Sequence, residues 1–342
     1  MGAARSHDGS SKIRSTFNFS DRASHNACPR SVDRFALRAG RFASCGISSP
    51  SVENEIEQVA LRAARAAGRI HLKRLSRITV NRKSNSIDLV TEADRESEAA
   101  IIEVIHRAFP THAILAEESG ASAHQSDHRW IIDPLDGTTN FAHGYPQFCV
   151  SIAYERRGRV ECGVVFDPLK RECFIAQRGH GARLNGKPIR VSTMTSLGAS
   201  LLSTGFPYDR RERRRFYLCF WEELMTRVQG VRRTGSAALD LVYVAAGRTD
   251  GFWEFGLKAW DIAAGALIVN EARGRVTNMD GSDLDLNAAN IVASNSRIHD
   301  ELIEALAGAR PEAERRHAEQ GPAPAPMAGL GAGSVVAGGK YR

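Results

Sequence analysis

The stretch Trp130-Ile131-Ile132-Asp133-Pro134-Leu135-Asp136-Gly137-Thr138-Thr139-Asn140 sets two carboxylates three residues apart at the exit of a short apolar run. Oxygen donors in that arrangement suit a hard divalent cation. Pro134 stiffens the turn, and Gly137 lets the backbone approach a ligand closely. A helix starting after Gly137 turns its free N–H groups and the Thr138 hydroxyl toward the same point, which puts an anion site beside a cation site. Phosphate bridging the two is the natural occupant. Taken alone, Asp133 and Asp136 read as caps that stabilise a turn.

Two more acids change the weighing. Glu117, in Glu117-Glu118-Ser119, also follows a short apolar run, and Asp261 stands after Trp260 at the start of Ile262-Ala263-Ala264-Gly265. Singly, the first is a solvated loop acid and the second a helix cap beside a core Trp.

Positioning these groups requires elements that the hydrophobic period supplies. Ser49-Pro50-Ser51 caps an expected helix whose apolar face is Ile56, Val59, Ala60, Ala63, Ala67 and Ile70. A second helix follows Thr91, with Asp94 three residues on as its capping partner and Ile101, Ile102, Ile105 and Phe109 facing inward. Residues 81–90 between them read as extended or irregular. From Ala113 the period shortens: residues 113–116, 130–132, 149–154, 160–166 and 173–176 are apolar runs punctuated by Gly158 and Pro168, which predicts a sheet with antiparallel hairpins. Strands at 201–203, 251–255 and 291–293 then alternate with helices at 213–228, 237–246, 262–272 and 298–306. The fold class is α/β, an α+β half followed by an α/β half.

Asp-Pro-Leu-Asp-Gly-Thr-Thr-Asn at 133–140, Ala-Glu-Glu-Ser at 116–119, Trp-Asp-Ile-Ala-Ala-Gly at 260–265 and Lys-Ser-Asn-Ser-Ile-Asp-Leu-Val-Thr-Glu-Ala-Asp at 83–94 together resemble the inositol monophosphatase family, a branch of the lithium-sensitive metal phosphatases. The resemblance runs from about Glu55 to Leu306, with the four motifs in family order and spacing. It implies the layered α-β-α-β-α sugar-phosphatase fold and two Mg²⁺ ions, with a third, weaker one near Glu117. Glu117, Asp133 and the Leu135 carbonyl are expected to hold one ion, and Asp133, Asp136 and Asp261 the other. Thr138 and Glu117 are expected to orient the attacking water, Asp94 to support them from behind, and the Gly137 and Thr138 N–H groups to hold phosphate. Gly235, Ser236, Ala237 and Glu254 resemble the contacts to substrate hydroxyls; Ser236 reads nearly as well as a helix cap. Asp240 is expected on the helix that follows, and Lys83 matches a loop lysine near the metals.

The chemistry implied is metal-ion catalysis with no Ser or Cys nucleophile. Gly-Thr-Thr-Asn-Phe at 137–141 and Glu254 match the inositol branch, so myo-inositol monophosphate is the first expected substrate. Histidinol phosphate and fructose 1,6-bisphosphate are alternatives, because the metal chemistry is shared and only the rim differs. Glu254-Phe255-Gly256-Leu257-Lys258-Ala259 looks like bacterial members, and Lys258 could meet an anionic substrate or face solvent. Family members are commonly homodimers, and some bacterial relatives also act on RNA, assisting transcription or ribosome assembly.

The 342 residues carry a net charge of +7, which at face value suggests a nucleic-acid partner. The excess sits in the tails. Residues 1–50 hold eight basic and three acidic side chains and residues 309–342 five and three, leaving 33 of each between. The neutral body argues against a large nucleic-acid face. Arg210-Arg211-Glu212-Arg213-Arg214-Arg215 could bind RNA or protein, although a solvated helix face is the plainer reading. Residues 1–48 and 310–342 lack sustained hydrophobic period and are expected to be disordered, which divides the rest at about residue 196 into 49–196 and 197–309.

Six cysteines without a Cys-x-x-Cys pair point to reduced thiols in a cytoplasm. No apolar run follows Arg5, Lys12 and Arg14, which disfavours a secretion signal, and Asp8, Asp21 and Asp33 weigh against a transit peptide. No stretch is apolar and long enough to span a bilayer. Gly179-His180-Gly181 lacks the spacing of a dinucleotide turn, and no His-x-x-x-His pair falls on an expected helix, which disfavours a zinc site.

Overall fold

A computed structural model describes residues 52–75, 80–82, 89–288 and 290–321, all within one compact unit. The expected Ser49-Pro50-Ser51 cap, Lys83 and the outer tails lie outside the described residues.

In chain order the elements are α1 (Val52–Arg74), β1 (Val80–Arg82), β2 (Leu89–Thr91), α2 (Glu92–Ala108), β3 (Ala113–Ala116), β4 (Gly120–Ala121), β5 (His128–Asp136), α3 (Thr138–Ala142), β6 (Cys149–Arg156), β7 (Arg159–Asp167), β8 (Glu172–Gln177), β9 (Ala182–Leu184) and β10 (Lys187–Pro188). They continue with β11 (Leu201–Thr204), α4 (Arg214–Arg227), β12 (Gly230–Arg232), α5 (Ala237–Ala245), β13 (Gly251–Phe255), α6 (Ala259–Glu271), β14 (Arg275–Thr277), β15 (Asn290–Ser294) and α7 (His299–Ala318).

β1 and β2 pair with each other, and the remaining strands form two sheets. The larger runs β10-β9-β8-β7-β6-β5-β3-β4 and the smaller β12-β11-β13-β15-β14. Period-2 alternation assigns each strand's side chains to opposite layers. Trp130 and Ile132 of β5, with Val150, Ile152 and Tyr154 of β6, pack on α1 and α2, whereas Ile131, Cys149 and Ala153 face α5 and α6. The other side of α5 and α6 meets Phe252, Ile291 and Ala293 of the smaller sheet, and that sheet's outer face packs α4 and α7 through Leu202, Trp253 and Val292. The molecule is therefore layered α-β-α-β-α. Helix α6 has a nearly continuous buried run from Ile262 to Val269 because it lies between two sheets.

The sequence reading ends the last helix at Leu306 and the fold near 309. Helix α7 instead runs through Pro311 to Ala318. Ala305, Ala309 and Ala313 recur at four-residue spacing on its buried face against Phe216 and Phe220 of α4, and Arg316 pairs with Glu222 of α4 and with Glu312, each at 2.6 Å. Packing against α4 outweighs the lost Pro311 hydrogen bond. The short strands β4, β9, β10, β12 and β14 were not anticipated; each has only two or three residues and no readable period.

Candidate active site

The acids are delivered by strand ends. β3 and β5 pair in parallel, and the Glu117 N–H extends that ladder to the Ile132 carbonyl at 3.1 Å, so Glu117 leaves β3 beside Asp133. Across β6 the register slips between Asp133↔Ser151 and Asp136↔Cys149: one extra residue bulges out of β5. Pro134, which has no N–H to give a ladder, occupies that bulge. The bulge turns Asp133 and Asp136 out of strict alternation. Gly137 follows at φ 93°, and a Cβ there would stand 2.9 Å from the Gln147 carbonyl oxygen, so both conformation and space require glycine. Helix α3 that begins at Thr138 is only five residues long.

Asp94 reaches the site from the N-terminus of α2. Its Oδ2 accepts from the Thr91 N–H at 2.7 Å and the Thr91 hydroxyl at 2.6 Å, fixing the cap, while its Oδ1 lies 2.9 Å from the Thr138 hydroxyl. The Thr138 Oγ1 is also 3.0 Å from the Leu135 carbonyl; its one proton serves either acceptor. One turn further along α2, buried Glu98 accepts from the Glu118 N–H at 2.9 Å and ties Glu117-Glu118 to α2.

Asp261 occupies the first turn of α6 and accepts from the Lys258 N–H at 2.6 Å. Asp136 is the hub between the sheets. Its Oδ2 accepts from the Ser236 hydroxyl at 2.6 Å and the Ala238 N–H at 2.7 Å at the start of α5, with the Ala237 N–H a further donor. Ser236 caps α5 and Ala237 opens it, and the donors of both meet Asp136. Asn140 joins the two loops, donating to the Gln147 carbonyl at 2.7 Å and the Thr234 carbonyl at 2.9 Å.

Glu117, Asp133, Leu135, Asp136, Gly137, Thr138, Gly235, Ser236, Ala237, Glu254 and Asp261 all line one cavity of about 480 Å³. Asp94 stands behind it. Asp240 lies deeper on α5, accepting from Thr234 at 2.8 Å, and burial pushes its carboxyl up to about 8. Glu254 is buried at the end of β13, its carboxylate where a Cβ on Gly205 would fall, and burial followed by the nearby Asp240 raises it well above the usual range.

Burial, then the repulsion of Glu117, Asp136 and Asp261, pushes the Asp133 carboxyl well above its ordinary value. Asp261 is raised in the same way, by burial and then by Asp136. Burial also raises Asp136, against the opposing pull of Ser236 and the α5 N–H groups. Carboxylates crowded like this carry their charge only when protons or a cation compensate it. The donors are all oxygen, which fits Mg²⁺ or another hard divalent ion and not a zinc-type set. As they stand, no three acidic, imidazole or thiol groups among the described residues close into a complete ion cage. Each of Asp133, Asp136 and Asp261 has an oxygen tied to a backbone N–H, of Leu135, Ala238 and Lys258 respectively.

Several participants were not anticipated. His71 of α1 touches the Pro134 carbonyl, Glu98 supports Glu118, and Arg210 and Arg233 line the cavity. Glu98 at four residues from Asp94 was the one readable signal. The described cysteines Cys149, Cys162, Cys173 and Cys219 are free thiols, and no described helix is long and apolar enough to cross a membrane.

Comparison with known proteins bears on this geometry. A profile described as "Inositol monophosphatase family" matches residues 53–311. The "Nus factor SuhB" of Pseudomonas aeruginosa is 49% identical over 253 residues, covering 72% of this chain and 93% of its own. The "Inositol-1-monophosphatase" of Synechocystis is 48% identical over 267 residues, covering 76% and 92%. The solved structure of inositol monophosphatase from Anabaena superposes with a TM-score of 0.69 at 44% identity, over 75% of this chain and 97% of that one.

Proposed function

This chain belongs to the inositol monophosphatase family, and on that premise we propose that it is a Mg²⁺-dependent phosphomonoester hydrolase acting on myo-inositol monophosphate or a similar small polyol or sugar phosphate. The observation that carries this reading is that Glu117, Asp133, Asp136 and Asp261, far apart in sequence, line one cavity with Gly137 and Thr138.

In this reading Glu117, Asp133 and the Leu135 carbonyl hold one cation, and Asp133, Asp136 and Asp261 a second. Bound there, divalent ions supply the Lewis acidity that activates water and offsets charge on the departing oxygen. The protein's own groups do the orienting. Asp94 accepts the Thr138 hydroxyl proton, which leaves the Thr138 oxygen lone pairs to receive a hydrogen bond from the attacking water alongside Glu117. The N–H groups of Gly137 and Thr138 face the phosphoryl oxygens. The donors of Ser236, Ala237 and Ala238 hold Asp136 at its working position, and Glu254 with the Gly235 loop meets the polyol.

The test is phosphate release across inositol, histidinol, fructose and nucleotide phosphates with Mg²⁺, with EDTA, and with added Li⁺. Mg²⁺-dependent turnover of at least one small phosphate ester that EDTA abolishes supports the reading. Absence of turnover on every ester would overturn it.

A second reading, as an RNA-associated factor, draws on the relatives named Nus factor and on the basic run 210–215. Part of that run is used internally: the Arg213 guanidinium lies 4.3 Å from the Phe216 ring centre, and Arg210 lines the cavity. Salt-dependent RNA binding that Arg211→Gln/Arg214→Gln/Arg215→Gln weakens would favour it.

A further inference from the structure

Lys170 lies in the turn between β7 and β8, outside the cavity. The Asp167 carboxylate in that turn is buried, and its Oδ1 accepts from the Leu169 and Lys170 N–H groups, each at 2.9 Å. The Lys170 ammonium returns to Oδ2 of the same carboxylate at 2.6 Å. Compensating the charge of Asp167 needs only that contact, yet an ammonium group carries three protons. The other two cross to the segment between α3 and β6: Nζ lies 3.1 Å from the Pro146 carbonyl and 3.1 Å from Gln147 Oε1, 24 and 23 positions earlier in the chain. A compact charge with three donors therefore meets three acceptors from two segments.

Gln147 is the link to the site. It is buried, and its backbone carbonyl accepts from Asn140 Nδ2 at 2.7 Å. The same carbonyl oxygen is the atom that a Cβ on Gly137 would meet at 2.9 Å, with Phe148 Cα and Cβ at 3.3 Å, so residues 147 and 148 form the wall against which the turn rests. Asn140 also donates to the Thr234 carbonyl at 2.9 Å, two residues before the Ser236 that holds Asp136. Leu169 packs on the cluster of Ala93, Leu135, Phe141 and Phe148, which includes residues on both sides of Gly137.

We propose that Lys170 is a positioning residue for the turn that carries Asp136 and Thr138: anchored on Asp167, its ammonium group fixes Pro146 and Gln147 against Gly137 and Asn140. This rests on the phosphatase reading above and adds to it a residue outside the cavity. Displacing reacting groups by about 1 Å costs on the order of 100-fold in rate, so a contact this far from the chemistry is visible in kcat.

The test measures kcat, KM and thermal melting of the full chain with Mg²⁺, on whichever ester of the panel above wild type turns over fastest. Lys170→Met should lower kcat roughly tenfold, with KM changing less than about threefold, at a temperature where the variant is folded. Arg248→Gln, which breaks an ion pair with Glu172 on β8, should leave kcat unchanged. If Lys170→Met fails to fold because Asp167 is left buried without a cation, Lys170→Met/Asp167→Asn replaces it, since the amide oxygen still accepts from the two N–H groups of the turn. A lower melting temperature with unchanged kcat makes Lys170 a stabilising partner only and overturns the proposal. If wild type hydrolyses no ester, the phosphatase reading fails by itself, and hydrogen exchange at the amides of residues 137–141 then decides. Faster exchange in the Lys170 variant than in Arg248→Gln supports the positioning role, and equal exchange overturns it.

Discussion

The Nε2 of His71 lies 2.9 Å from the carbonyl oxygen of Pro134, 63 residues later in the chain, and joins the first helix to the turn that presents Asp133 and Asp136. The ring is fully buried against Phe141 and Phe148, and burial lowers its pKa to about 4, so it stays neutral with its proton on Nε2 for Pro134. Among the described residues its Nδ1 has no hydrogen-bond partner. His71→Leu keeps the apolar contacts and orphans the carbonyl, which is expected to cost about 1–3 kcal/mol. Urea denaturation would measure that loss, and a Mg²⁺ titration of activity should show a weaker response in the variant. An unchanged unfolding midpoint would remove the bond from the account.

Asp94→Asn keeps the shape of the side chain and removes the charge that three donors share. Loss of a supporting carboxylate of this kind is expected to reduce turnover roughly 10–100-fold. The cap at Thr91 should weaken by about 0.5–2 kcal/mol. Thr138→Ala should lose turnover without that cap penalty, and steady-state kinetics beside thermal melting of the two variants separates the effects.

Gly137→Ala forces φ 93° on a residue with a Cβ and drives that atom to 2.9 Å from the Gln147 carbonyl oxygen. Destabilisation of about 1–3 kcal/mol is expected from the backbone strain. Turnover should fall with it, because the same turn aims Asp136 and Thr138. A variant with full activity and wild-type stability would show that the turn has room.

His299 is buried between Thr277, at 3.0 Å from Nε2, and Ser294, at 2.9 Å from Nδ1, and burial lowers its pKa to about 4. Thr277 gives its own proton to the Asn278 carbonyl and must therefore accept from Nε2–H, which leaves Nδ1 to accept from Ser294. Protonation makes Nδ1–H a donor, so the Ser294 hydroxyl must turn to accept, and the charge is buried. Since the folded pKa lies below the unfolded value near 6.5, the unfolded chain takes up the proton first. The stabilisation is complete above pH 6.5 and is lost as pH falls from there toward 4. Urea midpoints across that window should drop less steeply in His299→Gln than in wild type; parallel curves would assign the acid sensitivity to other groups.

Asp136→Asn should abolish Mg²⁺-dependent phosphate release while leaving the fold in place, because an amide oxygen still accepts from the Ala238 N–H. Circular dichroism and phosphate assay together read both halves of that statement. Retained turnover would displace Asp136 from the metal site.

Much of this protein is legible along the chain because the relevant forces are local. Alternating residues in β5 and β6 and the Thr91–Asp94 cap act over two to four positions, and the strand-turn motif from Asp133 to Thr138 carries its chemistry in adjacent residues. The motifs and their family resemblance also named the acids that share the cavity. Tertiary structure alone decided the rest. That the Ser236 hydroxyl and the Ala237 and Ala238 N–H groups serve Asp136 follows from setting α5 against the bulge in β5, about a hundred residues away. That His71 holds Pro134, that α7 continues past Pro311 against α4, and that Lys170 reaches Gln147 all depend on how layers stack and which strands are neighbours. Side chains brought together in this way are selected by packing across the whole core, and no periodicity within a window of sequence encodes it.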